Sequence, residues 1–159
     1  AAECAGDAAS GDGVTGELMA KNVHVRIKKN NLRKLAQMAP GEADAAIRVL
    51  AEEGVNIAKQ LMLNSPRTGR SYVRGGKVHV ASSPGNPPRP DRGRLINSLR
   101  HESRGTAVRV IIAGTEYARP LEFGSPARNR AARPFMGPMA YEVEGLVDTV
   151  FDHFLEDKA

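Results

Sequence analysis

The chain has 159 residues, enough for one domain that buries roughly two-thirds of its unfolded surface without help from disulfides or metal. Its 41% apolar and 26% charged residues exclude wholesale disorder, and no apolar run is long enough to span a bilayer. A single cysteine, Cys4, excludes an intramolecular disulfide framework and a cysteine-rich zinc site, and it fits a reducing compartment.

The net charge of +5 is unevenly distributed. Residues 1–66 carry 8 basic and 8 acidic side chains, 67–133 carry 14 and 4, and 134–159 carry 1 and 6. The balance therefore runs 0, +10 and −5, which points the middle of the chain toward polyanions or an acidic protein surface.

Residues 1–18 hold few large apolar groups and cannot offset the entropy of ordering, so they read as a flexible tail. No basic stretch followed by an apolar one marks a secretory signal. Met19-Ala20-Lys21 resembles a natural translation start, which sets the tail apart from a domain expected over 19–159. Val23–Ile27 alternates apolar and polar, the pattern of a half-buried strand. A short helix is expected over Leu32–Ala39, ended by Pro40.

From Gly41 to Asn64 the period is helical, with Ile47, Leu50, Gly54, Ile57 and Leu61 on one stripe. Ser65-Pro66 stops that helix. Residues 65–93 are rich in Gly, Pro and Arg, and Tyr72-Val73 with Val78-His79-Val80 predict a small hairpin around Gly75-Gly76. A helical turn and a strand follow over Leu95–Glu102. The strongest strand is Ala107–Ala113, dense in β-branched residues. Tyr117–Phe123 predicts a short helix closed by Gly124. Ser125–Arg133 is a second basic loop, and Pro138 marks the first turn of a last helix striped with Met139, Val143, Leu146, Val147, Val150 and Phe154. The expected fold is α+β: a small antiparallel sheet of three to four strands against two long helices, with a long basic loop.

No catalytic constellation is legible. His24, His79, His101 and His153 lack metal-ligand spacing, and no phosphate-binding glycine loop or Gly-x-Ser-x-Gly element occurs. Glu116 and Glu122 around Tyr117 read as strand-capping and helix-surface acids rather than a general acid–base pair. The expectation is a non-enzyme with no cofactor, no metal and no catalytic residue.

Four segments together carry a resemblance. The first is Asn64-Ser65-Pro66-Arg67-Thr68-Gly69-Arg70, after the long helix. The second runs from Ala81-Ser82-Ser83-Pro84-Gly85 to Asp91-Arg92-Gly93-Arg94-Leu95-Ile96-Asn97-Ser98-Leu99. The third is Gly114-Thr115-Glu116-Tyr117-Ala118-Arg119-Pro120-Leu121-Glu122-Phe123-Gly124. The fourth is Ala132-Arg133-Pro134-Phe135-Met136-Gly137-Pro138-Met139. In order and spacing they resemble the neck, or tail-completion, proteins of long-tailed bacteriophages and prophages, also called head–tail joining or minor tail proteins. The resemblance covers residues 19–157. Arg92 stands where that family usually has Thr, and Met136-Gly137 replaces Leu-Arg.

The resemblance implies a structural virion protein of the neck that joins the capsid connector to the tail. It would be a ring subunit, hexameric or dodecameric, around the channel for packaged double-stranded DNA. Its implied partners are other copies of itself, the head-closure or connector proteins, the tail-terminator or tail-tube proteins, and the DNA non-specifically, with no membrane. Assembly would take place in the bacterial host cytoplasm. The alternative is a sequence-nonspecific nucleic-acid-binding module, disfavoured because no aromatic residue interleaves the basic run over 84–94.

Two sets of residues are candidates for these contacts. The basic loop offers Arg67, Arg70, Arg74, Lys77, Arg89, Arg92 and Arg94, against the single acid Asp91, to a DNA lumen or to a neighbouring subunit. Tyr117, Leu121, Phe123, Arg133, Phe135, Glu142, Asp148 and Asp152 are candidates for a subunit interface.

Overall fold

The computed structural model describes residues 32–156. The strand expected at Val23–Ile27 and the tail over 1–18 lie outside them. Helix α1 (Leu32–Gln37) is followed by the long helix α2 (Pro40–Leu63), then by a ribbon of β1 (Ser71–Arg74) and β2 (Lys77–Val80). One turn of helix, α3 (Arg94–Asn97), leads into β3 (Leu99–Gly105) and β4 (Val108–Ala113). Helix α4 (Ala118–Phe123), a 3₁₀ turn (Pro126–Arg128) and the long helix α5 (Met136–Glu156) complete the order.

This is the α+β architecture that the periodicities predict. The four strands are dealt into two separate antiparallel ribbons, β1–β2 and β3–β4, rather than one sheet. Pro40 opens α2 instead of closing α1, sitting in the first turn, where its missing N–H has no helical partner to lose. Glu42 reaches back to accept the Ala39 N–H at 3.0 Å and so completes that helix start.

The layers are α2 and α5 side by side, with the β3–β4 ribbon laid on α2. One half of the core gathers Met38, Ala43, Ala46, Leu50 and Phe151. The other gathers Val55, Ala58, Met62, Leu95, Leu99, Ala118, Phe135 and Met139. The buried face of α2 is thus rotated from the expected stripe. Leu50 and Gly54 are buried, but Ile47, Ile57 and Leu61 are half-buried, and the small residues Ala43, Ala46, Ala51 and Ala58 take the centre. Small side chains win there because α5 and β4 approach closely. A Cβ on Gly54 would meet the Ile111 Cδ1 at 2.5 Å and the Val143 Cγ2 at 3.2 Å.

The β3–β4 turn is fastened to α2 by one carboxylate. Asp44 accepts the Ala107 N–H at 3.1 Å and the Arg109 Nη2 at 2.7 Å. Ala107 sits at φ 55°, a left-handed backbone that an alanine seldom adopts, and the Asp44 bond holds it there.

Candidate functional site

The basic segment is a built arm rather than a bare loop. Gly75 and Gly76 turn at φ 58° and 75°, the paired positive values of a two-residue hairpin turn. The register pairs Tyr72 with His79, Val73 with Val78, and Arg74 with Lys77. Strand alternation puts Tyr72, His79, Arg74 and Lys77 on one face. That face is tied down by Asp91. Arg74 Nη1 lies 2.8 Å from an Asp91 oxygen, the Tyr72 hydroxyl 3.5 Å, and His79 Nδ1 3.9 Å. Tyr72 and His79 also pack ring against ring with centroids 5.1 Å apart. The Arg74 hydrogen bond, with the His79, Arg74 and Arg92 charges, holds the Asp91 carboxyl below the usual aspartate value against some desolvation. Partial burial, helped by the Asp91 charge, pushes the Tyr72 phenol up.

The seven cations of the arm therefore have different roles. Arg74 is spent on Asp91. Arg89 is a structural pin whose Nη1 donates to the Ser65 carbonyl at 2.8 Å, next to the Ser65 hydroxyl that donates to the Pro87 carbonyl. Arg67, Arg70, Lys77, Arg92 and Arg94 are exposed, and Arg67, Arg70, Lys77 and Arg94 make no ion pair among the described residues.

The segments that carry the family resemblance meet one another. Glu122, in the Leu121-Glu122-Phe123-Gly124 stretch, accepts the Phe135, Met136 and Gly137 N–H groups at 2.8, 3.0 and 2.9 Å. It thereby caps α5 from a distance of thirteen residues, and the Leu121 carbonyl accepts the Arg133 N–H at 2.6 Å. The Ala132 carbonyl accepts from Gly85, the Ala81 carbonyl from Gly69, and the Ser98 carbonyl from Gly114. Sequence reading placed Glu122 as a surface acid of a short helix. The available signal was the first turn of α5, which has no acid and no Ser, Thr, Asp or Asn before it to cap its own amides.

The interface candidates divide as well. Tyr117 and Phe123 are exposed, Phe123 by 57%. Leu121 is half-buried against the core. Phe135 is fully buried in the subunit's own core, so it has no surface to present to a neighbour. It is also a hydrophobic anchor for the capped end of α5. Asp148 and Asp152 are partly engaged within the chain, at 3.5 and 2.7 Å from Lys34 Nζ of α1. The Asp152 hydrogen bond raises the Lys34 ammonium above the ordinary lysine value. Glu142 is exposed and Arg133 half-buried.

Among the described residues no cluster of His, Cys, Asp or Glu is placed to hold a metal ion, and no helix is long and apolar enough to cross a membrane. Comparison with family models, curated proteins and solved structures finds no match.

Proposed function

We propose that the chain is a structural subunit of a bacteriophage neck, a ring protein that joins the capsid connector to the tail around the DNA channel. The observation that carries this reading is how the resembling segments are used. Their polar residues are committed to main-chain joints, with Glu122 bonded to three amides of α5 and Ser65 and Arg89 locking the base of the arm. A domain held by such joints, with a cationic arm standing off it, suits assembly and needs no reacting centre. In this reading the subunit contacts copies of itself, head-closure and tail-terminator proteins, and packaged DNA without regard to sequence. It is assembled in the host cytoplasm and retained in the virion.

A phage or prophage lacking this chain tests the reading. The expected lysate contains filled heads and separate tails that do not join, and the chain supplied in trans restores infectivity. Normal virions without it would overturn the assignment. The exposed cations favour one second reading, a sequence-blind nucleic-acid-binding module. Tight DNA binding by a chain that is dispensable for head–tail joining would select it.

A further inference from the structure

The β1–β2 ribbon has two faces with opposite fates. One is fastened to Asp91 through Arg74, Tyr72 and His79. The other carries the directly paired Val73 and Val78, which are 70% and 71% exposed. An isolated two-stranded ribbon is marginal in water, so three contacts to Asp91 are a substantial investment in holding an apolar pair outward. Arg70 and Lys77 flank that pair, and the stretch over 67–80 contains no acid.

A second surface is its complement. A groove of about 430 Å³ runs beside the C-terminal half of α2, with an apolar floor of Ile57, Leu61, Pro66 and Pro87. Glu53 and Glu142 stand on its rim, no basic side chain lines it, and neither acid has a cationic partner among the described residues. Ile57 and Leu61 are the two residues of the expected α2 stripe that the subunit's own core leaves partly uncovered here.

We propose that this groove receives the Val73–Val78 pair of a second copy of the chain, with Arg70 and Lys77 of the ribbon meeting Glu53 and Glu142 of the groove. The partner is chosen by chemistry: apolar meets apolar, and unpaired cations meet unpaired acids. The two surfaces are different patches of one chain, so the contact is head-to-tail and builds rings or open filaments rather than a two-fold dimer. It names the joint of the ring proposed above and rests on that reading for its biological use.

The test uses sedimentation of the full chain and two variants, Val73→Ser/Val78→Ser and Glu53→Lys/Glu142→Lys, each checked for an unchanged circular dichroism spectrum. Each variant alone should self-associate about tenfold or more weakly than wild type. Mixed, they should form a one-to-one complex that does not grow, because one supplies only an intact groove and the other only an intact ribbon. Wild-type assembly by the ribbon variant would overturn the contact while leaving the neck reading standing. A wild type that stays monomeric at about 1 mM would also overturn it, and the head–tail joining experiment would then judge the neck reading separately. If Arg70→Ala/Lys77→Ala abolishes DNA retardation but not self-association, the ribbon serves nucleic acid and the proposal fails.

Discussion

Glu122 shows how much a single side chain can organise in this fold. A helix start leaves its first amides without partners, and α5 begins Phe135-Met136-Gly137-Pro138 with nothing local to accept from them. One carboxylate from α4 accepts three of these amides and also counters the positive end of the helix dipole. It does so beside Phe135, a fully buried side chain in the same core. Glu122→Ala should therefore destabilise the domain by about 2–3 kcal/mol, the size expected when a charged acceptor is lost from partly buried donors. Glu122→Gln keeps an acceptor and should lose less than half of that. Urea titration of both variants checks the order; equal stability of Glu122→Ala and wild type would show that water caps the helix as well as the carboxylate does.

Long elements were legible because their periodicity repeats over many residues. Both long helices, the β1–β2 hairpin at Gly75-Gly76 and the β-branched β4 stand where pattern and turn chemistry put them. The rotation of α2 was not legible, because apolar spacing favours the large residues while close approach at Gly54 favours the alanines. Leu50 belongs to both sets and is 6% exposed. Leu50→Ala should cost roughly 2–5 kcal/mol in the same titration, and a loss below about half a kilocalorie would place that face outside the core. The tethered arm was illegible for a different reason. Seven cations against one acid suggest repulsion, and only the fold reveals that Asp91 is shared by Arg74, Tyr72 and His79. Its carboxyl is depressed in the folded chain, so its contribution to stability is complete above the ordinary aspartate value and is lost as pH falls through the lower folded value. Backbone amide shifts of 71–80 should accordingly move in acid with a midpoint below the ordinary aspartate value. In Asp91→Asn they should show no such transition, whereas an unchanged transition would assign it to another group.

At the scale of the whole molecule, charge is arranged for contact with something outside the chain. The middle third is strongly positive and the C-terminal part negative, yet the internal ion pairs account for only part of either. Arg89 belongs to the fold, through the Ser65 carbonyl, and Arg74 belongs to Asp91. Replacing either would confuse loss of contact with loss of structure. Arg67, Arg92 and Arg94 are exposed and carry no such duty in the core, so they are the residues with which to ask whether DNA is a partner. DNA passing through a ring must be tolerated without base contacts that would stall it, so binding should be sequence-blind and driven by counterion release. The logarithm of affinity should fall linearly with the logarithm of salt concentration. Each phosphate contact removed should flatten the slope by about 0.9. Arg67→Ala/Arg92→Ala/Arg94→Ala should thus weaken binding to all duplexes equally and flatten the slope by roughly 2–3, with the fold unchanged. An unaltered slope would show that these arginines do not face phosphate, and a loss confined to particular sequences would contradict a channel that must pass any DNA.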